Sequence, residues 1–335
     1  MPREASEADE LARWAASRAP ELLARAEAEA VALLRDALVE AAREQTRPES
    51  RRPRPAAEPP PARVSDDDGE LIWAYCVVRA GDRRPAELHG VDPGFAVEPV
   101  EAAGLVALVS RVPRSGFAAE PLRQNLNDIS WLERVARAHE VVLEETLAAA
   151  TLVPLRLCTL FEDFEGVRRM LGNERDKLTA ALDALDGRQE WGVKVLVDPE
   201  RLEEQARARV GDAAAAGDEA AGAGGAYMRR RRIDRQVREA AHALMSELAE
   251  DVRATLEHSA LDVVTRPPQN RELSGYEGEM LVNAACLIDS ARVDALRALV
   301  GELEARHHGL GARVELTGPW PPYNFVPHGG APMLA

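Results

Sequence analysis

A run of prolines divides this chain into two parts. Residues 46–69 hold six prolines among charged side chains and end in the sequence Asp-Asp-Asp-Gly. Proline fixes its own φ and has no amide hydrogen to donate, so such a run sustains neither a helix nor a central strand. We therefore predict that residues 46–69 form an extended Pro-rich linker, which tethers residues 1–45 to a folded body beginning at residue 70.

Residues 1–45 are rich in alanine, leucine, glutamate and arginine. From Glu21 onward, apolar side chains recur at the spacing of one helix face, and Pro20 suits a first helical turn. We predict an N-terminal amphipathic helical extension. Its apolar face can dock on the body, pair with a second copy or contact a partner, and a loosely helical tail also fits. The apolar positions are Leu22, Leu23, Ala26, Ala30, Leu33, Leu34, Ala37, Leu38 and Ala41.

Length, charge and hydropathy limit the class of protein. A chain of 335 residues with 46% hydrophobic side chains predicts more than one folded unit, each with its own core. The net charge of −15 argues against nucleic acid as the main partner, because a phosphate backbone is bound by an excess of Lys and Arg. The N-terminus has no apolar signal core, and no run approaches the roughly 20 apolar residues of a membrane span. We predict a cytoplasmic protein with no nucleic-acid or membrane partner.

The first globular unit is predicted over residues 70–188. Residues 71–78 read as a β-strand, and residues 97–100 and 105–109 read as a β-hairpin. The remaining predicted elements are one long helix opened by Pro121, a strand over residues 152–157 and a helix over residues 163–185.

The second unit is predicted over residues 189–318, with a flexible Ala/Gly-rich insertion at residues 211–226. Its elements follow the order β-α-β-β-α-β, which is that of a ferredoxin-like sandwich. Such a sheet is antiparallel and carries its helices on one face, so the fold class is α+β. Residues 319–335 follow as a C-terminal strap. The predicted strands are 191–197, 261–265, 280–288 and 312–316, and the helices are two beginning at Pro199 and Tyr227 and one over residues 291–306.

The sequence offers little reactive chemistry. None of the seven histidines sits in a metalloprotease motif, no Cys or His pair has zinc spacing, and no nucleophile elbow, P-loop or dinucleotide fingerprint occurs. Cys76, Cys158 and Cys286 each lie in an apolar run, which is typical of buried thiols. We predict no catalytic residue, no cofactor and no metal site.

An arginine cluster is the strongest basic feature of the chain. Four arginines occupy residues 229–232, and Arg235 and Arg238 follow on the same predicted helix. The cluster could contact RNA or an acidic protein surface. Because Glu239, Glu247 and Glu250 follow closely, the sequence favours a solvated helix start whose arginines are ion-paired.

The last strand runs into a segment of unusual composition, Leu-Thr-Gly-Pro-Trp-Pro-Pro-Tyr-Asn-Phe-Val at residues 316–326. Its prolines force an extended path and its aromatic side chains project from that path. Such a segment tends to pack across its own domain. The residues that define it are Gly318, Pro319, Trp320, Pro321, Pro322, Tyr323 and Phe325.

This ending resembles the hallmark of the gas vesicle protein F/L family (GvpF/GvpL). Pro154 and Arg156 lie in a segment that looks like another family motif, in which Leu157 and Cys158 replace the usual Phe-Gly. Trp191 resembles the start of the family's second domain, and Tyr227 precedes the arginines as a tyrosine does in the family. The resemblance covers most of residues 70–326 and leaves out residues 1–69.

The resemblance implies a two-domain α+β protein with a ferredoxin-like C-terminal domain and a strap folded back on the body. It implies a structural, chaperone-like role in gas vesicle assembly, without catalysis, through contact with the hydrophobic shell protein GvpA and other accessory Gvp proteins. It also suggests that the first domain holds the shell protein. Two other functions stay open: an enzyme on a ferredoxin-like scaffold, and a regulatory RNA-binding module.

For individual residues the sequence predicts architecture. We expect Trp320, Tyr323 and Phe325 to anchor the strap, and Arg156 to pair with a carboxylate beside the first sheet. If the ring of Trp320 is buried, its replacement by Ala should cost about 3 kcal/mol of folding free energy.

Overall fold

Two antiparallel sheets, with helices packed on both, make up the part of the chain that the computed structural model describes, which is residues 69–214, 223–268 and 278–326. The predicted helical extension, all but Gly69 of the Pro-rich linker and the end of the strap lie outside these residues.

The first sheet has the strand order β2-β3-β1-β4, and β5 also pairs with β1. Its central strand β1 is buried along almost its whole length, because helices cover both faces of the sheet. Helix α3 packs on one face, and α4 and α5 pack on the other. The elements are β1 Glu70–Arg79, β2 Val97–Ala102, β3 Leu105–Pro113, α1 Arg114–Phe117, α2 Ala119–Asn125, α3 Ile129–Leu147, β4 Val153–Pro154, β5 Leu160–Phe161, α4 Phe164–Asn173 and α5 Arg175–Leu185.

Strand β1 contains the predicted strand 71–78 and shows why apolar and polar side chains do not alternate along it. Trp73 and Tyr75 face α3, whereas Ala74 and Val77 face α4 and α5. A bulge between Ala74 and Cys76 shifts the alternation by one residue, so Cys76 joins the face of Trp73. Both faces are therefore core, and neither can carry charge.

The predicted hairpin is confirmed as β2 and β3. Ala103 and Gly104 connect the two strands, with φ of 55° and 79°. Two positive φ values in a two-residue turn match the twist of the strands on either side. Gly104 adopts this conformation without steric cost.

The second sheet has the order β7-β8-β6-β9 and is antiparallel throughout. Helices α7 and α8 pack on one face of it, against the odd-numbered residues of β6 from Trp191 to Val197. The opposite face holds Glu190 and Lys194, which are both buried. The elements are β6 Arg188–Val197, α6 Pro199–Ala214, α7 Ala223–Ser259, β7 Asp262–Arg266, β8 Glu279–Asp289, α8 Val293–His307 and β9 Arg313–Trp320.

The single helix predicted from Pro121 is wrong, since the segment forms two helices, α2 and α3. The predicted helix is interrupted at Asp128, whose carboxylate accepts hydrogen bonds from the amides of Ser130 at 2.9 Å and Trp131 at 3.2 Å. An aspartate in this position caps a new helix. Ile129, predicted on the apolar face, is 71% exposed in the first turn of α3.

Two other predicted elements of the first unit are shorter than expected. The helix predicted over residues 163–185 is broken at Glu174 into α4 and α5. The strand predicted over residues 152–157 is reduced to Val153–Pro154, because the chain turns away where Cys158 takes a left-handed φ of 66°.

Two predicted boundaries in the second unit also move. The predicted insertion at residues 211–226 is helical at both ends, since α6 runs to Ala214 and α7 begins at Ala223. Strand β9 continues to Trp320, so the first two residues of the predicted strap are part of the sheet.

Candidate functional site

The C-terminal strap lies between the two sheets. After Trp320, the chain turns at Pro321 and Pro322, which are buried, with the Tyr323 amide donating to the Pro321 carbonyl at 2.8 Å. Phe325 and Val326 pack against the core on the α4 and α5 side of the first sheet. The strap also contacts the helix-free face of the second sheet, at Glu190 of β6 and Arg266 of β7.

Gly318 allows β9 to reach this position. Its φ is 136°, a conformation that side chains other than glycine rarely adopt. A Cβ there would lie 3.0 Å from the carbonyl oxygen of Glu190 and 3.1 Å from the ring of Trp191. The glycine of the motif is thus required by close packing of β9 on β6.

Asn324 fastens the strap to the second sheet. Its backbone amide donates to Glu190 Oε2 at 3.1 Å, and its Nδ2 donates to Glu190 Oε1 at 2.5 Å. Its Oδ1 accepts from Arg266 Nε at 3.0 Å and from the same guanidinium's Nη2 at 2.5 Å. A neutral amide therefore joins a buried carboxylate on β6 to a guanidinium on β7, and satisfies a charge whose burial is otherwise costly.

Tyr323 fastens the strap to the first sheet. Its hydroxyl lies 3.2 Å from His139 Nε2, and Trp73 Nε1 donates to His139 Nδ1 at 3.0 Å. Because Nδ1 accepts, Nε2 carries the hydrogen of the neutral ring and donates it to Tyr323. His139, at 2% exposure, is a core histidine that connects β1, α3 and the strap.

Trp320, the last residue of β9, is half-buried, and its Nε1 donates to Thr317 Oγ1 at 3.2 Å. It lines a cleft of about 350 Å³ at the seam between the two units. One wall comes from the end of α3 and the following loop, and the other from the start of β6 and the strap. Its lining includes Leu147, Ala148, Leu152, Leu185, Trp320 and Pro322.

The other predicted motif residues have varied placements. Trp191 is buried on the helix face of β6, with the Arg297 guanidinium 5.3 Å from its ring. Pro154 is buried in β4 opposite Cys76. Tyr227 lies in α7, but its side chain is outside the described residues. The structure thus brings Trp191 against Gly318 of the same motif set, and keeps Pro154 in the first sheet.

The expected pairing of Arg156 is not found. Arg156 is exposed, and its guanidinium forms no ion pair with a carboxylate of the described residues. Instead, its carbonyl oxygen accepts from the Thr159 amide at 3.1 Å and from Thr159 Oγ1 at 2.7 Å. The motif is held here by the backbone turn that precedes β5.

The three buried thiols and the phenol of Tyr75 are held in their neutral forms. Burial raises the pKa of the thiols of Cys76, Cys158 and Cys286 to about 12, so they stay protonated. Burial likewise raises the pKa of Tyr75 to about 12. Within the described ranges, no group of three or more His, Cys, Asp or Glu side chains is placed to hold a metal ion.

Sequence reasoning missed His139, Glu190 and Arg266. Nothing in their spacing indicates the strap, since the bonded pairs are 58 to 184 positions apart. Asn324 could have been found, because its polar side chain stands between the aromatic residues Tyr323 and Phe325 of the motif.

The family follows from the comparison with known proteins. The sequence profile described as "Gas vesicle synthesis protein GvpL/GvpF" matches residues 71–327, which is most of the chain. The protein belongs to the GvpL/GvpF family. This GvpL/GvpF protein is 37% identical over 258 residues to gas vesicle protein L of Streptomyces sp. (strain CB03234), covering 76% of this chain and 92% of that one. It is 27% identical to gas vesicle protein F of the same strain, covering 76% and 98%.

Solved GvpF structures have the same fold. The crystal structure of GvpF from Anabaena sp. PCC7120 matches 77% of this GvpL/GvpF chain and 96% of its own, with a TM-score of 0.54 and 20% identity. GvpF from Microcystis aeruginosa matches 76% and 98%, with a TM-score of 0.54 and 19% identity. Among the described helices of the present chain, none is both long enough and apolar enough to cross a membrane.

Proposed function

We propose that this protein is an accessory protein of gas vesicle assembly, which binds the shell protein GvpA, other Gvp accessory proteins, or both, and does so without catalysis. It acts in the cytoplasm, at the gas vesicle. The support is the family match over residues 71–327 and the gas vesicle names of its relatives. A hydrophobic shell subunit needs such a partner, because exposed apolar surface on a monomer invites aggregation.

The observation that carries this proposal is the seam cleft. The strap, the most specific sequence motif of the chain, joins the two sheets by Tyr323 and Asn324 and leaves Trp320 on the cleft wall. The cleft has a volume of about 350 Å³, and its lining is mixed, with Leu147 and Trp320 beside polar residues such as Glu144 and Arg188. Such a site can take an apolar side chain of a partner together with a neighbouring polar group. We propose that the shell protein contacts the first unit beside this cleft, at the end of α3.

A ferredoxin-like second domain also belongs to this proposal, supported by the strand order β7-β8-β6-β9 with both helices on one face. An RNA-binding sheet of that type leaves its other face open for bases to stack. Here the strap contacts that face at Glu190 and Arg266, and Leu287 on the same face packs in the core against α4 and α5. The geometry therefore favours protein assembly over RNA binding.

The test is complementation of a gas vesicle-forming host from which the corresponding gene has been deleted. Ala148→Arg places a long cation at the exposed C-terminal end of α3, on the cleft wall. Ala254→Arg makes the same change at an exposed position of α7. We expect the first variant to lose GvpA in co-purification and to form fewer vesicles, and the second to behave like wild type.

If the two variants co-purify with GvpA and form vesicles equally well, the cleft is not the contact site for the shell protein. Normal vesicle formation by the deleted host without any added gene would overturn the assembly role itself.

A further inference from the structure

The basic turn of α7 is a second surface that the strap and cleft do not involve. It consists of five arginines in the third to fifth turns of a helix that is 37 residues long, and all five side chains are exposed. By helical geometry three of them, Arg231, Arg235 and Arg238, lie within about 60° of one another. The basic turn is Arg230, Arg231, Arg232, Arg235 and Arg238.

This arrangement opposes the stability of the helix. Arg231 and Arg235 are four residues apart, and Arg235 is three residues from both Arg232 and Arg238. Like charges at these spacings repel one another, and cations in the N-terminal half of a helix gain nothing from its dipole. Asp234, which lies four residues from both Arg230 and Arg238, offsets only part of this repulsion, so helix formation alone does not explain five arginines in this segment.

Three arginines of the basic turn lack the ion pairs that other described helices show. Arg207, Arg253 and Arg297 each hold a carboxylate three or four residues away. By contrast, Arg230, Arg232 and Arg238 form no ion pair with any described residue, and Arg235 approaches Glu239 only to 3.8 Å. The sequence favoured an ion-paired helix start, and the structure corrects this for three of the arginines.

The acidic part of α7 is already neutralised by arginines of the same chain. Since its carboxylates are already ion-paired, they are poor partners for the basic turn of a second molecule. This argues against a dimer in which two α7 helices pair. The internal pairs are Arg209 with Glu247, Arg253 with Glu250 and Glu257, and Arg306 with Asp251.

We propose that the basic turn of α7 binds a carboxylate-rich segment of another protein. Guanidinium groups pair with carboxylates in a two-point geometry, and residues 230–238 extend about 12 Å along the helix, which suits a short acidic helix or loop. A nucleic acid fits less well, because the net charge of −15 repels a phosphate backbone that continues past this short patch. The proposal does not depend on the gas vesicle role.

The test uses the full chain and three fluorescent probes: a ten-residue oligoglutamate peptide, a single-stranded DNA of similar length, and vesicles containing phosphatidylserine. The variant is Arg230→Gln/Arg232→Gln/Arg238→Gln, which removes the arginines that form no ion pair with a described residue. The matched control is Arg207→Gln/Arg253→Gln/Arg297→Gln, which removes the same charge from exposed arginines that hold carboxylates.

We expect wild type and control to bind the peptide alike and the variant to bind about tenfold more weakly, with a loss of binding as salt is raised. Equal weakening of variant and control would overturn the proposal, because total charge and not the basic turn would then govern binding. Failure of wild type to bind the peptide would also overturn it, and so would tighter binding to the DNA or to the vesicles.

Discussion

The side-chain amide of Asn324 donates to the buried carboxylate of Glu190 at 2.5 Å, across 134 positions of sequence. Glu190 is 5% exposed, and Asn324 supplies two of its hydrogen bonds. The strap is therefore held to the second sheet by a polar contact that its aromatic side chains do not make.

Asn324→Ala should lower the free energy of unfolding by about 2 kcal/mol, because it removes hydrogen-bond partners from both Glu190 and Arg266. Asn127→Ala is the control, since Asn127 is exposed and bonds only within its own turn, to the Arg123 carbonyl. We expect the control to change stability by less than about 0.5 kcal/mol. Urea unfolding measures both, and equal losses would contradict the role of Asn324.

Two glycines should respond to alanine in opposite directions. Gly318→Ala should cost about 2 kcal/mol or more, because the new Cβ meets the Glu190 carbonyl and the Trp191 ring at a φ of 136°. Gly301→Ala should stabilise the protein by up to about 1 kcal/mol, since Gly301 is an exposed residue within α8 and a Cβ there meets nothing within 4 Å. Thermal unfolding of the two variants would reveal the sign of each change.

The two tryptophans near the β6–β9 pairing should differ in cost. Trp191 is 5% exposed in the core, so Trp191→Ala should cost about 3–5 kcal/mol. Trp320 is half-buried on the cleft wall, so Trp320→Ala should cost only about 1–2 kcal/mol, less than the roughly 3 kcal/mol expected for a buried ring. Denaturant midpoints of the two variants in the same buffer test this order, and the reverse order would refute it.

Asp251 should make stability depend on pH. A hydrogen bond from His307, and then one from Arg306, holds the pKa of Asp251 below its ordinary value. Since the pKa is lower in the folded state, the carboxylate contributes stability above its unfolded pKa and loses it as pH falls through the folded pKa. The difference in unfolding free energy between wild type and Asp251→Asn should therefore be largest near pH 7 and shrink below about pH 4.

The control for Asp251 is Asp176→Asn, at a side chain that is 96% exposed. Its difference from wild type should be small at every pH. An Asp251→Asn difference that stays constant from pH 7 to pH 3 would show that the bonds to α8 do not carry the effect.

Local sequence was sufficient where a residue's neighbours decide its structure. The strand 71–78 and the hairpin were predicted, because a continuous apolar run and a two-residue turn are local features. The helix break at Asp128 was missed, although aspartate is a common cap, because the apolar spacing continues across it. Periodicity alone therefore overestimates the length of helices.

The side-chain contacts that connect the two sheets through the strap could not be predicted in the same way. The Trp73–His139–Tyr323 series needs side chains that are far apart in the chain, and a histidine within a helix gives no sign that its ring lies between a tryptophan and a tyrosine. The importance of the strap was visible in its composition. Its attachment points depend on tertiary packing, which one sequence does not display.

The position of the strap also sets an order of events during synthesis. All strands of both sheets precede residue 321 in the chain, so a ribosome completes them before it adds Tyr323 and Asn324. Until then the face bearing Glu190 lacks the amide of Asn324, and the two units are in contact through apolar side chains such as Leu287. Tyr323 and Asn324 therefore add their hydrogen bonds last, to strands that are already complete when these two residues leave the ribosomal exit tunnel.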